Sequence, residues 1–368
     1  MDDPRGSPAT VLSDGPGQRG PRRAARPRKV RVGVAGLGRI GEMHCELLSG
    51  AVAGARLQAV FDLEPGRAGS LADRHGVRAA RGFDELLGDD IDAVAICTPT
   101  DAHAEQVSRA AGAGVAIFCE KPLALDRASL ERAAADVEAA GVTFQIGFNR
   151  RFDPAHASVR DAVASGRIGE LHLLRITSRD PAPPSLEYVR KSGGLFLDMT
   201  IHDFDMARFI TGSEVVEVYA RAGVRVDPRL SAEGDVDTAA MLLEHADGCL
   251  TTIDNSRRAV YGYDQRVEAF GSRGAAASEN PPAHHAVLVD AAGRHLPAGE
   301  SLFVRRYRES YRLQWEAFAA AVADGRQPAA SVADARAPLL IGLAAARSLD
   351  EHRPVKIQEI EREGRGTR

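Results

Sequence analysis

Residues 30–41 have the sequence VRVGVAGLGRIG, and this stretch decides the fold of the first part of the chain. Its apolar start is typical of a buried parallel strand. Gly36, Gly38 and Gly41 are spaced as Gly-x-Gly-x-x-Gly and lead into a predicted helix over residues 40–48. Because the chain holds 36 glycines, the alternative is a turn that binds nothing. Between a strand and a helix, the spacing favours a dinucleotide-binding turn with the pyrophosphate at the helix N-terminus.

Strands and helices alternate from this turn onward. Apolar runs at 57–61, 93–97, 116–119 and 143–147 predict strands, and the stretches at 68–75, 83–87, 103–113 and 129–140 predict helices. Strands that alternate with helices at this spacing favour a doubly wound parallel sheet, the Rossmann architecture.

The pattern changes near residue 148. Runs at 171–178, 215–226, 238–243, 249–255 and 265–271 alternate apolar and polar residues, which suits an antiparallel sheet with one covered face. Helices are predicted around 311–323 and 332–349. We therefore predict an α/β fold with a disordered basic tail (1–28), a dinucleotide-binding Rossmann domain (29–148), a second α/β domain with an open, mostly antiparallel sheet (149–355) and a C-terminal tail (356–368).

The composition excludes several classes of protein. With 44% apolar and 27% charged residues, the 368-residue chain resembles a globular protein of two domains. Its net charge of -4 argues against nucleic-acid binding, and no apolar run is long enough to span a membrane. The four cysteines fit neither a zinc site nor a disulfide framework. We expect free thiols, no metal and a cytoplasmic location.

Residues 1–29 carry seven basic and three acidic side chains and are rich in Pro, Gly and Ala without periodicity. This composition predicts disorder, with a weak electrostatic tether as one use. Arg22 and Arg23 also suggest a twin-arginine export signal. Because Pro27 and further arginines follow them, and the next apolar run is the predicted core strand, we favour no export.

The second predicted strand ends at Asp62, 21 residues after the last glycine of the motif. A carboxylate at this place binds the adenosine ribose hydroxyls and repels a 2′-phosphate, which favours NAD over NADP. Leu37, Arg39 and Ile40 complete the cofactor loop. Arg39 and Arg67 lie near enough in sequence to weaken the preference for NAD.

Thr98, Pro99 and Thr100 follow the strand at 93–97 and should lie at the carboxyl edge of the sheet, where ligands bind in such folds. We place Thr98 and Pro99 beside the nicotinamide. The alternative is an ordinary turn with Thr100 as the cap of the next helix. His103 is a further candidate for cofactor contact, or an exposed residue of that helix.

Glu120, Lys121 and Pro122 follow the strand at 116–119. Proline favours an extended conformation at the residue before it, which would direct the Lys121 ammonium into the cleft. A cation there stabilises an alkoxide that develops before hydride leaves. The alternative is a surface lysine paired with Glu120.

Residues 193–209, GGLFLDMTIHDFDMARF, have apolar spacing that predicts a helix after two glycines. In such a helix Asp198 and His202 leave one face a turn apart. A carboxylate there can hold the imidazole in one tautomer, and the imidazole can move a proton near neutral pH. The alternative is a solvated helix face, to which Asp203 and Asp205 also point.

Together, these motifs resemble the glucose–fructose oxidoreductase/inositol dehydrogenase/rhizopine-catabolism (Gfo/Idh/MocA) family. The resemblance rests on residues 36–41, Glu120-Lys121-Pro122, GFNRRFD at 147–153 and residues 193–209. Residues 253–257 and 261–266 resemble its inositol-oxidising branch. The resemblance covers roughly residues 30 to 355 and leaves the N-terminal tail without a counterpart.

The resemblance implies roles for individual residues. Three match the family's catalytic positions: Lys121, Asp198 and His202. Three more lie where the family contacts substrate: Arg151, Asp180 and Tyr263. The candidates for cofactor contact extend to Glu120, Lys121 and Arg150.

The resemblance also implies a reaction and an assembly. His202 takes the proton of a polyol hydroxyl, Asp198 stabilises the imidazolium and Lys121 holds the alkoxide while hydride passes to NAD, without a metal. The expected reaction converts a cyclic polyol to a ketone, foremost myo-inositol to 2-keto-myo-inositol. The alternatives are scyllo-inositol, glucose or a related pyranose as substrate, and a non-catalytic NAD-binding regulator, which should lack Lys121 or His202. The open sheet face implies a homo-oligomer, a tetramer or a dimer.

Overall fold

The computed structural model describes residues 28–282, 284–297, 299–300 and 302–363. The predicted disordered tail, apart from its last residue, lies outside the described residues. Within them, no helix is both long and apolar enough to cross a membrane.

The first sheet has six parallel strands in the order β3-β2-β1-β4-β5-β6. The strands are β1 Val30–Ala35, β2 Ala55–Phe61, β3 Arg78–Ala79, β4 Ala93–Ile96, β5 Ala116–Cys119 and β6 Phe144–Ile146. The helices are α1 Arg39–Glu46, α2 Pro65–His75, α3 Phe83–Leu86, α4 His103–Gly112 and α5 Arg127–Ala140. The predicted doubly wound sheet is confirmed, and its strand order reverses between β1 and β4, where such sheets bind ligands.

Local sequence explains where these helices begin and end. Pro65 occupies the first turn of α2, where its missing N–H costs nothing, and Gly76 ends that helix at φ 65°. Asp126 caps α5 by accepting a hydrogen bond from the Ser129 amide, and Gly141 ends it in the left-handed region. The residues that begin and end α2 and α5 are therefore those that the sequence favours at helix termini.

The second sheet has seven strands in the order β12-β11-β7-β10-β9-β8-β15. Its strands are β7 Leu171–Arg179, β8 Val215–Gly223, β9 Thr238–His245, β10 Leu250–Ser256, β11 Asp264–Gly271, β12 Gly274–Ser278 and β15 Val355–Lys356. β7 and β10 pair in parallel and the other neighbours are antiparallel, so the prediction of a mostly antiparallel sheet is confirmed. A small hairpin, β13 Leu288–Asp290 with β14 Gly293–His295, lies apart from it.

The remaining helices are α6 Pro154–Ala164, α7 Leu186–Ser192, α8 Gly194–Asp198, α9 Ile201–Thr211, α10 Phe303–Arg306, α11 Arg308–Asp324, α12 Val332–Glu351 and α13 Ile357–Glu363. Of these, α6, α9 and α12 cover one face of the second sheet. On the covered face Val218, Met241 and Ile253 are buried with residues of α6, α9 and α12. On the other face alternate residues such as Leu242 and Phe270 stay exposed, so this sheet is open on one side.

The C-terminal helices contribute to the core of the first sheet as well as to that of the second. Helix α11 returns to the first sheet, where Trp315 is fully buried and stacks on Phe118 at 4.6 Å. The Ile146 amide of β6 likewise donates to the Ala330 carbonyl. Part of residues 149–355 therefore completes the first core. Within the range predicted as a C-terminal tail, Lys356 of β15 pairs with β8 and α13 buries Ile360. Residues 364–368 lie outside the described part.

Candidate active site

The glycine loop after β1 is shaped by what a side chain would meet at each position. A Cβ at Gly36, which has φ 84°, would lie 2.6 Å from the backbone of Cys97, and one at Gly41 would lie 1.8 Å from the Gly36 carbonyl oxygen. No described protein atom lies within 4 Å of a Cβ at Gly38. The outer two glycines therefore pack the loop, and the middle one leaves open space at the start of α1.

Asp62 joins this loop from the end of β2. Its carboxylate accepts hydrogen bonds from the Leu37 amide at 2.7 Å and the Glu64 amide at 2.9 Å. Arg67 lies 3.3 Å away. Helix α1 begins with Arg39 and has no side chain bonded to its first amides. Open space, free amides and a carboxylate at the β2 end together fit a dinucleotide.

The His103 ring lies between two loops, those that contain Thr98 and Pro122. Nδ1 lies 2.8 Å from the Pro122 carbonyl oxygen and Nε2 lies 2.8 Å from that of Thr98. The ring is buried, and burial lowers the pKa of His103, so one N–H at a time donates. Both nitrogens face carbonyl oxygens of the protein, and only one of them donates at a time. The contact between His103 and the cofactor stays a prediction. Thr98 itself donates through Oγ1 to Gln106 at 2.8 Å.

Glu120 belongs to a buried chain of side chains that the sequence did not indicate. Trp315 Nε1 donates to His44 Nδ1 at 2.8 Å, and His44 Nε2 lies 2.9 Å from Glu120 Oε1. Because the indole N–H only donates, His44 Nδ1 must accept and Nε2 must donate to Glu120. Glu120 and Trp315 lie 76 and 271 residues from His44 in the sequence, so no local pattern links the three.

Lys121 points from the end of β5 toward the second domain. Its ammonium donates to the Asp198 carbonyl oxygen at 2.5 Å and lies 3.4 Å from Asp198 Oδ1. The Lys121–Pro122 peptide bond is cis. The predicted direction into the cleft is therefore supported, and the alternative pair with Glu120 is not formed, since Glu120 is engaged by His44.

The predicted single helix over residues 193–209 is wrong. Helix α8 ends at Asp198 and α9 begins at Ile201. Between them Thr200 donates through Oγ1 to Asn255 Oδ1 at 2.7 Å, a tertiary contact that holds the break. Asp198 and His202 therefore do not form the predicted pair on one helix face.

Asp198 instead gathers groups from three other segments. Tyr188 on α7 donates to Oδ1 at 2.8 Å, and Arg257, after β10, approaches Oδ2 at 3.3 Å. Lys121 is the third partner. Neither Tyr188 nor Arg257 was predicted as a site residue, because each lies on a different segment from the Asp198 carboxylate, 10 and 59 residues away.

His202 lies at the start of α9 with its ring edge against Phe148 at 6.0 Å between centroids. Its Nδ1 is buried and has no hydrogen-bond partner among the described residues. Burial and the nearby cations Lys121 and Arg150 hold the pKa of His202 well below its usual range. The ring is therefore neutral at pH 7 and able to accept a proton.

Arg150 and Tyr263 lie next to each other and are both buried. Arg150 donates to Asp203 Oδ1 at 2.6 Å and to Ser178 Oγ at 3.0 Å. Tyr263 is buried against Arg150, and burial raises the pKa of its phenol. Arg150 is itself buried and bonded within the protein, so any cofactor contact must come from the small part that stays exposed.

Asp180 and Arg151, both predicted substrate contacts, differ in their surroundings. Burial and the Asp198 charge raise the pKa of Asp180 to about 6. Arg151 binds both oxygens of Asp205 at 2.6 and 2.8 Å and reaches Asp334 at 2.8 Å. Its charge therefore holds α9 to the start of α12, and its contact with substrate stays a prediction.

Two family profiles match the chain. Residues 30–148 match "Oxidoreductase family, NAD-binding Rossmann fold", and residues 156–277 match "GFO/IDH/MocA C-terminal domain". No cluster of potential metal ligands occurs among the residues that the structure describes.

Named relatives align over nearly their whole length. A myo-inositol 2-dehydrogenase of Thermotoga maritima is 46% identical over 90% of this chain and 99% of that protein. An inositol 2-dehydrogenase of Rhizobium meliloti is 45% identical over 89% and 99%. A crystal structure of scyllo-inositol dehydrogenase from Lactobacillus casei with bound NAD(H) and scyllo-inositol is 29% identical, has a TM-score of 0.84 and covers 90% of this chain and all of that chain.

Proposed function

Because the chain belongs to the Gfo/Idh/MocA family of oxidoreductases with an NAD-binding Rossmann fold, we propose that it oxidises myo-inositol to 2-keto-myo-inositol with NAD. The observation that carries the proposal is the Lys121 ammonium at the end of β5, bonded to Asp198, together with a neutral His202 whose pKa is lowered by burial and by the charge of that lysine. Relatives at 45–46% identity that bear the name inositol 2-dehydrogenase support this substrate over other polyols.

The cofactor is held by the first domain. The adenosine and pyrophosphate would lie against Gly36, Leu37, Gly38, Arg39, Ile40 and Asp62. Thr98, Pro99, Glu120 and Lys121 surround the far end of the crevice. When bound, NAD supplies a hydride acceptor. The Asp62 carboxylate favours a free 2′-hydroxyl and repels a 2′-phosphate.

The chain's own residues manage the proton and the charge of the substrate. His202, neutral because desolvation and the charges of Lys121 and Arg150 lower its pKa, accepts the hydroxyl proton of the polyol. Lys121 stabilises the oxygen that becomes negative. Asp198 positions Lys121, to which it is bonded. Asp180 and Tyr263 are the proposed contacts to the other hydroxyls.

The open face of the second sheet is the proposed contact between subunits. Leu242, Leu250 and Phe270 are 42%, 38% and 50% exposed there. A depression of about 720 Å³ on the same face is lined by Arg179, Arg221 and Asp254 among others, away from Lys121. Exposed apolar side chains of this kind mark contact surfaces, so we propose a homo-oligomer, a tetramer or a dimer.

The four unpaired cysteines support a cytoplasmic location.

The test is NADH formation by the purified protein with NAD and myo-inositol, in parallel with scyllo-inositol and D-glucose. We expect the highest kcat/KM with myo-inositol. Turnover with scyllo-inositol or glucose alone would keep the mechanism and overturn the substrate. Silence with all three while NAD still binds would overturn the proposal and favour a regulator.

A further inference from the structure

Arg257 is a buried cation beside the proposed catalytic group, and no step described so far uses it. Its side chain is 1% exposed. Its Nε and Nη2 have no hydrogen-bond partner among the described residues. Leaving N–H groups of a charged side chain without partners is costly. A cation held there needs a compensating electrostatic role.

Two carboxylates compensate this charge, one at each end of α8. Nη1 lies 3.3 Å from Asp198 Oδ2 at the last residue of the helix. Nη2 lies 3.7 Å from Asp235 Oδ2. Asp235 in turn accepts the Leu195 amide at 2.9 Å through Oδ1, which caps the first turn. The guanidinium therefore bridges the start and the end of one five-residue helix.

The surrounding backbone is built for this bridge. A Cβ at Gly194, which has φ 73°, would lie 2.7 Å from Asp235 Oδ1. A glycine is needed there because any side chain would displace the capping carboxylate. The Arg257 amide also donates to the Asp237 carbonyl oxygen at 2.8 Å, which fixes the arginine to the segment that carries Asp235.

We propose that Arg257 is a positioning residue that holds α8 so that Asp198 keeps Lys121 aligned for hydride transfer. This inference rests on the proposed function only for its effect on turnover. A helix of five residues has too few internal hydrogen bonds to be stable alone, so its end must be fixed from outside.

The experiment compares Arg257→Met and Arg257→Lys with Arg208→Met. Arg208 is also largely buried and paired with carboxylates, Glu214 and Asp334, but lies at the far end of α9. For Arg257→Met we expect kcat to fall about tenfold to a hundredfold, as a small misplacement of a reacting group does, with NAD affinity unchanged. The kinetic isotope effect on kcat with polyol deuterated at the reacting carbon should rise. Arg257→Lys should recover part of the rate, and Arg208→Met should keep it.

Amide hydrogen exchange tests the same role without turnover. In Arg257→Met, exchange over residues 195–200 should accelerate while residues 201–211 exchange as in the wild type. Wild-type kcat in Arg257→Met, or equal acceleration in both segments, would overturn the proposal. If Arg257→Met does not fold, Arg257→Lys must show both effects in weaker form. A wild-type protein inactive on every polyol would refute the proposed function and leave the exchange result to decide on Arg257.

Discussion

The glycine loop after β1 and the cluster around Asp198 are specified in different ways. The loop is six consecutive residues whose role depends on backbone space, since a Cβ at Gly41 would lie 1.8 Å from the Gly36 carbonyl oxygen. The cluster joins Lys121, Asp198 and Arg257, which come from three distant segments. A backbone site is damaged by the smallest added group, whereas a side-chain site can lose its chemistry while the fold remains. Binding and turnover should therefore respond to different substitutions.

The largest difference between the effect on turnover and the effect on NAD binding should come from Lys121→Met and His202→Asn. Each should lower kcat by about 10² to 10⁴-fold, because a positioned base or a charge at the reacting oxygen contributes that much. NAD affinity, measured by calorimetry, should stay within about twofold. The double variant should lose less activity than the product of the two single losses, since the effects of groups that act as a unit are not additive. A near-normal rate in either single variant would contradict the assigned roles.

The converse change is Gly38→Ala, which should damage binding and leave the fold intact. Gly38 has φ -69°, which alanine adopts freely, and a Cβ there meets no described protein atom within 4 Å. The methyl group would instead occupy the space proposed for the pyrophosphate. We expect the Kd for NAD to rise about tenfold or more, equivalent to about 1.4 kcal/mol, with an unchanged Tm.

Gly112→Ala is the matched control for that variant. Gly112 ends α4 and also has open space around an added Cβ. Its substitution should change neither the Kd for NAD nor kcat. Equal loss of NAD affinity in both variants would show that the effect is not specific to the glycine loop.

The same contrast explains what the sequence could predict. The parallel sheet and the glycine loop follow from local patterns, and the structure confirms the sheet. The break between α8 and α9 does not, because the contact that holds it, Thr200 with Asn255, spans 55 residues. Helical periodicity continues through residues 193–209 and carries no sign of it.

Two further residues show the same limit. Arg151 was placed at the substrate by its motif, yet its partner Asp334 lies 183 residues away on another helix. His103 was judged by its position after β4, but its ring is fixed by the carbonyl groups of Thr98 and Pro122. Sequence identifies which residues carry chemistry, and the partners that use up that chemistry depend on the tertiary fold.

A smaller effect should come from Asp62→Asn, which tests whether this carboxylate selects NAD over NADP. Asparagine keeps an oxygen for the Leu37 amide but removes the charge that repels a 2′-phosphate. We expect the ratio of kcat/KM for NAD to that for NADP to fall about tenfold, the effect of one charge-assisted hydrogen bond. Glu64→Gln, an exposed neighbour that shares Arg67, should leave the ratio unchanged. An unaltered ratio in Asp62→Asn would remove this carboxylate from cofactor selection.

The smallest expected effect links the catalytic cluster to pH. Burial and the charge of Asp198 raise the pKa of Asp180 to about 6, so its carboxyl is ionised above that pH and protonated below it. The ionised form accepts stronger hydrogen bonds from polyol hydroxyls. KM for the polyol should therefore rise about threefold as the pH falls from 7 to 5. Because the pKa of His202 lies well below its usual range, the base stays neutral over much of this interval and kcat should change less. Asp180→Asn should show a KM that is flat across the interval, while Asp254→Asn on the open sheet face should keep the wild-type dependence. A pH-dependent KM that persists in Asp180→Asn would assign the titration to another group.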